Sequence, residues 1–237
     1  MTKVDLLSIL KNLVAIAPGA LIAITFHEAA HGFIADRKGD PTAKMLGRLT
    51  LNPLAHIDLF GTILLPIMFF FVTGFVFGYA KPVPVNFLNL HRPKQDMIWV
   101  AAAGPGANLC LALLSGLLLR VLLTVEPELQ LYRHIDTGVM NWNLSTVFLL
   151  PIVEMLRFSV IINIVLMVFN MVPIPPLDGG RVVVGLLPEK QANALSAVEP
   201  YGFLILLFLL FIDPSKTLNR IINSLVSFFY MVILGGV

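Results

Sequence analysis

Two histidines and a glutamate lie close together in an otherwise apolar part of the sequence. The segment His27-Glu28-Ala29-Ala30-His31 places its imidazoles four residues apart, so on a helix they share one face. Two imidazoles at this spacing can bind one Zn²⁺. Glu28 is offset around the helix, where its carboxylate can reach a water molecule without binding the ion. The motif therefore predicts zinc-dependent hydrolysis, with His27 and His31 as ligands and Glu28 as general base.

The apolar surroundings of this motif favour metal binding over a structural role. A carboxylate and two imidazoles inside an apolar span are costly to bury unless they are paired or bind a metal. The alternative is a polar patch between helices, in which Glu28 is hydrogen-bonded to a neighbour and no ion is bound.

A catalytic zinc site also needs a third protein ligand and one open position. Asp178 is the candidate, because it follows a proline cluster at the end of an apolar stretch, on the membrane side expected for His27 and His31. Gly179 and Gly180 allow the backbone to approach closely. An Asp-Gly pair alone is more typical of a turn, so this assignment depends on the two histidines. We expect one Zn²⁺ per chain.

The composition excludes a soluble domain. Of the 237 residues, 57% are hydrophobic and 13% are charged, and the mean hydropathy is +0.88. An average soluble domain has roughly 45–50% apolar and about 25% charged residues. Lipid must therefore solvate the outer surface, and we expect a multi-pass membrane protein in a lipid bilayer. The net charge of +2 is too small to predict a nucleic-acid partner.

Apolar stretches that are long enough to cross a membrane recur along the chain. We predict an all-α, polytopic helical bundle that forms a single transmembrane domain over residues 1–237. The expected long helices are Leu7–Ala35, Met97–Leu119 and Ser145–Val172. Two shorter C-terminal helices are expected at Tyr201–Ile212, extending back toward Ala192, and at Ile221–Val237.

The charges of the loops predict how the chain lies in the membrane. Positive residues favour the cytoplasmic side, and they are concentrated in the loop after the first helix and in the proline-rich loop after Leu59–Tyr79. Both ends of Leu59–Tyr79 then lie on one side. This predicts a re-entrant hairpin that turns near Pro66 or Gly74, and an active site toward the cytoplasmic side. The alternative is a full crossing.

A hydrolase in the bilayer must act on an unwound substrate, because the carbonyls of an intact helix are occupied and crowded. An exposed strand edge can bind the hydrogen-bonding groups of such a substrate. The residues from Gly47 to Pro53 alternate in polarity and end in a proline. This pattern predicts a short extended or β segment there, near the active site. An ordinary interfacial loop is the alternative. The residues of the candidate edge are Arg48, Leu49, Thr50 and Leu51.

Three motifs, in this order along the chain, resemble those of the site-2 proteases, which are intramembrane zinc metalloproteases. They are HEAAHG at 27–32, AGPGAN at 103–108 and NMVPIPPLDGGR at 170–181. The resemblance implies that His27, His31 and Asp178 bind zinc and that Glu28 activates water. The chain is similar to a minimal prokaryotic type, without the PDZ and CBS domains of better-known members.

The resemblance also implies a layout for the domain. A three-helix catalytic core is expected at about 7–35, 97–123 and 145–181, with C-terminal helices at about 192–237. Asn170, Pro173 and Pro175 are expected to contact the unwound substrate, since prolines lack N–H groups and cannot close a competing helix. Gly104 and Gly106 are expected to permit close helix packing.

Four more polar residues have weaker signals. Asn108 and Asn170 are candidates to stabilise a developing oxyanion, although interhelical hydrogen bonding is favoured for Asn108. His56 is a candidate gating residue or transient ligand, and the alternative is a polar pair with Asp58 at the interface. Glu199 is a candidate gate residue, and the alternative is a helix-end carboxylate.

These observations together predict a zinc endopeptidase of a prokaryotic cell membrane. Its expected partners are transmembrane proteins or peptides, which it cuts within or near their membrane segments in regulated intramembrane proteolysis. One alternative is a membrane metal transporter, although we find no inverted repeat of the kind that transporters often show. The other is a catalytically silent membrane scaffold. The sequence does not predict the substrate, the cleavage site, the trigger or the oligomeric state.

Overall fold

The computed structural model describes residues 6–73, 78–127, 129 and 144–235, and the regular structure of these residues is entirely helical. The predicted all-α class is therefore confirmed for this part of the chain. Single 3₁₀ turns occur at Pro53–His56 and Phe87–Asn89, and π-helical turns occur at Leu59–Leu64 and Phe208–Ile212. The α-helices are α1 (Leu6–Arg37), α2 (Thr42–Met45), α3 (Leu65–Thr73), α4 (Pro93–Val125), α5 (Leu144–Asn170), α6 (Asp178–Leu186), α7 (Glu189–Ser196), α8 (Glu199–Leu207) and α9 (Thr217–Leu234).

Within the described residues, three helices are long and apolar enough to cross a membrane: α4, α5 over Phe148–Asn170, and α9. Helix α7 and the stretch Glu199–Ile212 bend by 60° and make a fourth candidate span when they are counted as one. Leu113, Leu117 and Val121 of α4 are exposed at four-residue intervals, so they form one apolar stripe. These features indicate a multi-pass membrane protein whose apolar stripes face lipid.

Contacts within the chain divide it into two compact units. The first comprises the described residues of Met1–Ala23, Asn108–Val168 and Lys216–Val237, and the second those of Ile24–Ala107 and Phe169–Ser215. His27, Glu28, His31 and Asp178 all belong to the second unit. The single domain over residues 1–237 stays a prediction.

A buried polar ladder runs through the apolar core of the first unit. Asn108 and Asn163 are both fully buried. Asn108 Nδ2 donates to Asn163 Oδ1 at 2.8 Å and to the Ala23 carbonyl at 3.1 Å, and Asn163 Nδ2 donates to the Ser159 carbonyl at 2.8 Å. Buried amides are costly unless they are hydrogen-bonded, so this ladder ties α1, α4 and α5 together. The surrounding core includes Ala112, Leu119, Leu123, Val153, Val160, Ile164 and Ile233.

The segment predicted as a re-entrant hairpin returns to the place where it begins. The Asp58 carboxylate caps its first turn by accepting the Gly61 N–H at 2.6 Å. The Tyr79 N–H donates to the Gly61 carbonyl at 2.9 Å, and a Cβ at position 61 would collide with the Tyr79 ring. Pro66 lies in the first turn of α3, so the chain does not reverse there. The other predicted turn residue, Gly74, lies outside the described residues.

The predicted β segment forms no strand within the described part of the chain. Residues 48–52 are irregular, between Gly47 and the turn Pro53–His56. The neighbouring segment contains Lys81 and Pro82, and their carbonyls accept hydrogen bonds from the Arg48 side chain. A β ladder cannot form here because Pro82 and Pro84 have no N–H to donate. The N–H groups of Leu49, Thr50 and Leu51 make no hydrogen bond to any described residue.

We expect Asn163→Ala to lower the free energy of unfolding by about 1–2 kcal/mol, because the Asn108 amide would lose its side-chain acceptor inside the core and keep only the Ala23 carbonyl. Unfolding by SDS in mixed micelles measures this change. The control is Asn193→Ala on the exposed surface of α7, which should change stability by less than about 0.5 kcal/mol. Equal stability of the two variants would show that the ladder makes no net contribution.

Candidate metal centre

Three potential ligand atoms converge in the second unit. Helix α1 presents His27 and His31 one turn apart, and α6 begins at Asp178. The two imidazole Nε2 atoms are 3.1 Å apart. Asp178 Oδ2 lies 3.2 Å from His27 Nε2 and 3.4 Å from His31 Nε2. Because ligands at about 2.0–2.1 Å from a tetrahedral Zn²⁺ lie about 3.3 Å apart, these atoms have the spacing of three corners of such a site.

The surroundings direct these atoms toward one point. His31 Nδ1 donates to the Val100 carbonyl at 2.7 Å, so the lone pair of its Nε2 faces the group. His27 and Asp178 are buried. Among the described residues, Asp178 Oδ2 has only the two imidazole nitrogens beside it and no hydrogen bond of normal geometry. A buried anionic oxygen in this position is costly unless a cation neutralises it, so the donor set fits a divalent metal.

Gly104 keeps the space beside the histidines open. A Cβ at this position of α4 would lie 2.6 Å from His27 Cε1 and 2.7 Å from His27 Nε2, and would collide with His31 Nε2. By contrast, no described atom lies within 4 Å of a Cβ at Gly106. From the sequence, both glycines were expected to permit close helix packing. The sequence spacing does not show which of Gly104 and Gly106 borders the histidines, because this depends on which face of α4 packs toward α1.

A break between α5 and α6 brings Asp178 to the site. Residues 171–177 are irregular, as the proline cluster predicts. A Cβ at Gly179 would collide with the Met171 carbonyl, and one at Gly180 would collide with the Pro175 nitrogen. Only glycine therefore lets the first turn of α6 pack directly on the preceding loop. Pro175 is buried in that loop, whereas Pro173 is exposed.

Glu28 lies beside the ligand pair in the chain but outside the three-atom group. Its Oε2 accepts a hydrogen bond from the Val83 N–H at 2.7 Å, and the side chain is half-buried. The position follows from the offset around the helix that the motif predicts. A carboxylate so placed can accept a proton without acting as a ligand.

Arg48 anchors the loop that carries Val83. Its guanidinium donates to the carbonyls of Lys81 at 3.0 Å and Pro82 at 3.3 Å, and also to the Ala55 carbonyl. The Arg48 side chain therefore holds two segments of its own chain together. Contact between Arg48 and substrate stays a prediction.

Asp40 anchors the far end of the same loop. The residue is fully buried and accepts the Asn86 N–H at 2.7 Å and Asn89 Nδ2 at 2.9 Å. Burial by itself raises the pKa of the Asp40 carboxyl. Hydrogen bonds from the Thr42 and Asn89 side chains and from the Asn86 and Thr42 amides outweigh burial, and together they hold the pKa below its ordinary value. The carboxylate therefore remains ionised at neutral pH.

The other predicted polar residues lie outside the three-atom group. His56 is buried, and its Nε2 donates to the Thr50 carbonyl at 2.9 Å. It is not paired with Asp58, which caps the π-helical turn instead. Glu199 Oε1 accepts from Arg181 at 3.3 Å. Asn108 belongs to the polar ladder of the first unit, and Asn170 is the last residue of α5.

Comparison with known sequences identifies the family. Residues 15–212 match the profile of peptidase family M50. The chain belongs to this family. YwhC of Bacillus subtilis is 38% identical to the M50 chain, over 82% of this chain and 78% of YwhC. Rip2 of Mycolicibacterium smegmatis is 32% identical over 92% of this chain and 73% of that protein. Rip2 of Mycobacterium tuberculosis is 29% identical over 87% of this chain and 69% of that protein.

All three relatives bear names that class them as zinc metalloproteases. No solved structure gives a significant match to the chain. Family M50 is the site-2 protease family, so the predicted resemblance and the predicted metalloprotease activity, site-2 protease-like intramembrane proteolysis, are confirmed. The peptidase assignment takes precedence over the transporter and scaffold alternatives. Within the described residues of this M50 peptidase, one group of three side chains can hold a metal ion.

We expect Gly104→Ala to weaken zinc binding by about 10- to 100-fold or more, because the added methyl group would displace both imidazoles. Gly106→Ala is the matched control, since its methyl group would meet no described atom. Metal analysis of both purified variants, with circular dichroism to check helix content, measures the effect. Full zinc content in Gly104→Ala would contradict the assigned space.

We also expect the Asp40 carboxylate to make a pH-dependent contribution to stability. Its pKa is lower in the folded than in the unfolded chain, so this contribution is present above the unfolded pKa of about 4 and is lost as the pH falls through the folded pKa. Asp40→Asn should lower the unfolding free energy at neutral pH by about 1–3 kcal/mol. The gap from the wild type should shrink toward about pH 3.

Denaturant unfolding across this pH range makes the measurement. Asp36→Asn is the control, because its carboxylate pairs with Lys44 at the surface and contributes little. A gap between Asp40→Asn and the wild type that is constant with pH would rule out the charge of Asp40 as its cause.

Proposed function

We propose that this M50 peptidase binds one Zn²⁺ per chain through His27, His31 and Asp178, and that it hydrolyses peptide bonds within or near transmembrane segments of membrane-protein substrates. One observation carries the proposal: the three ligand atoms lie between 3.1 and 3.4 Å apart, the spacing that a tetrahedral zinc ion requires. Two imidazoles and a carboxylate leave one coordination position open, as catalytic zinc sites do.

The roles in catalysis follow from the chemistry of the side chains. Zinc held by His27, His31 and Asp178 would supply Lewis-acid chemistry, polarising the scissile carbonyl and lowering the pKa of water. The Glu28 carboxylate accepts a proton from the attacking water and transfers it to the leaving amine. Asn170, at the end of α5, donates a hydrogen bond to the carbonyl oxygen as negative charge develops on it.

The substrate docks as an extended chain. The segment Leu49–Leu51 has backbone N–H groups without described partners, and these can pair with the carbonyls of an unwound substrate. The side chain of Arg48 keeps this segment in place. Pro173 and Pro175 border the opposite side, where they have no N–H groups that would compete for the substrate.

The chain from Leu59 to Tyr79 is a re-entrant hairpin, and the site faces the cytoplasm of a bacterial cell. The bond between the Tyr79 N–H and the Gly61 carbonyl supports the hairpin, because both ends of the segment meet there. A hairpin keeps the two cationic loops on one side of the membrane, which the distribution of charge assigns to the cytoplasm. The bacterial relatives support this location.

Glu199 controls access of the substrate to the site. It pairs with Arg181 at 3.3 Å, and both residues line a cavity of about 220 Å³. Arg181 also lies over the Phe87 ring at 5.1 Å. Arg181 is on α6, three residues after Asp178, and Glu199 begins α8. Loss of this ion pair releases α8 from α6, so the pair is suited to a gate.

We expect Glu28→Gln to keep its zinc and to lose cleavage by about 10²- to 10⁴-fold, because an amide of the same shape cannot accept the proton. Cleavage of a reconstituted transmembrane peptide, measured beside metal content, gives both quantities. Glu189→Gln is the control, since this carboxylate is exposed at the start of α7. Cleavage at the wild-type rate by zinc-loaded Glu28→Gln would refute the general-base role.

A further inference from the structure

The Glu28 carboxylate is held by the main chain of a distant segment. The Val83 N–H, 55 residues away in sequence, donates to Glu28 Oε2 at 2.7 Å. Within the described part of the chain, this is the one hydrogen bond that the carboxylate accepts. A hydrogen bond to an ionised carboxylate is shorter and stronger than one between neutral groups, and it restricts rotation of the side chain. Glu28 therefore has a defined orientation before substrate arrives.

The sequence around Val83 isolates this donor. Pro82 and Pro84 flank it, and neither has an N–H group. Proline also fixes its own φ and keeps the residue before it in an extended conformation. The direction of the Val83 N–H is thus set by its two neighbours, and no adjacent amide can compete for the carboxylate.

Packing holds Val83 from both sides. Its side chain is 7% exposed and lies against Gly32, where an added Cβ would be 2.9 Å from Val83 Cγ1. On the other side, Arg48 binds the Lys81 and Pro82 carbonyls, and the Lys81 N–H donates to the His56 carbonyl at 2.9 Å. The donor is therefore fixed relative to α1, which carries the histidines.

We propose that the Val83 N–H is a positioning group for the general base, and that Arg48 is a positioning residue that acts through it. The inference rests on the proposed role of Glu28. The bond occupies Oε2 and leaves Oε1 to accept the proton from water. It also keeps the carboxylate from turning toward the imidazoles and occupying the open coordination position. Its contribution is to the geometry of proton transfer, not to substrate binding.

The test removes the N–H and keeps the side chain. An ester bond in place of the amide, made by incorporating α-hydroxyvaline at position 83, should lower kcat by about 10- to 100-fold. The KM and the zinc content should stay within about twofold of the wild type, because binding is unaffected. The matched control is the same ester at Val85, whose N–H makes no hydrogen bond to a described residue.

Two ordinary substitutions check this result. Val83→Pro also removes the N–H and leaves the Pro82 carbonyl an amide, so it should reproduce the loss of kcat. Val83→Ala keeps the N–H and loses only packing, so its kcat should stay within about threefold of the wild type. A large kcat loss in Val83→Ala, or wild-type kcat in both the ester and the proline variant, would overturn the inference.

As a single substitution, Arg48→Ala should lower kcat. Combined with Val83→Pro it should lower kcat little further, because both changes act on the contact between the Val83 N–H and Glu28. Lys44→Ala, a change of an exposed cation in the nearby helix α2, is the control. Full additivity of the two changes would overturn the role of Arg48. If the Val83 ester and Val83→Pro both lose zinc while the Val85 ester retains it, the Val83 N–H stabilises the fold and does not position the base.

The same assay separates this inference from the proposed function. If zinc-loaded Glu28→Gln cleaves normally, the general-base role fails and the positioning role fails with it. If Glu28→Gln is inactive while both variants lacking the Val83 N–H are fully active, Glu28 remains the base and only the positioning role is lost.

Discussion

A buried carboxylate oxygen that faces two imidazole nitrogens is the constraint on which the rest of this site depends. Among the described residues Asp178 Oδ2 has no other partner, so a cation bound between it and the histidines would balance its charge. A zinc ion held by these three residues would tolerate little displacement of its ligands, since ligand distances to zinc are narrowly defined. The close approach of α4 at Gly104 and the tight turn into α6 at Gly179 follow from this requirement.

Irregular chain near a membrane site must satisfy its own polar groups, because lipid cannot do so. The loop that carries Val83 does this in two ways. Arg48 and the buried Asp40 bind its carbonyls and amides. Pro82 and Pro84 remove two N–H groups that would otherwise need acceptors. The amide that remains between them donates to Glu28, so one loop both satisfies its own polar groups and orients the Glu28 carboxylate.

Local sequence patterns predicted part of this architecture well. The first and third long helices were expected at 7–35 and 145–172, and they occur at Leu6–Arg37 and Leu144–Asn170. Hydropathy and proline breaks are local signals, and they locate the ends of such helices to within a few residues. The strand expected near Arg48 did not form, because a strand needs a partner with N–H donors and the neighbouring segment is rich in proline. Alternation in one segment carries no information about its neighbour.

The sequence by itself determined that the chain lies in a membrane, that two imidazoles and a glutamate share one helix, and that the motifs are those of a peptidase family. These properties depend on composition and on helical periodicity, which are local. The sequence also predicted Asp178 as the third ligand, and its carboxylate lies beside the two histidines. Tertiary structure alone decided that Gly104 and not Gly106 borders the histidines, and that Val83 binds Glu28. Each of these contacts joins segments that are far apart in the chain, so packing of the whole unit establishes them.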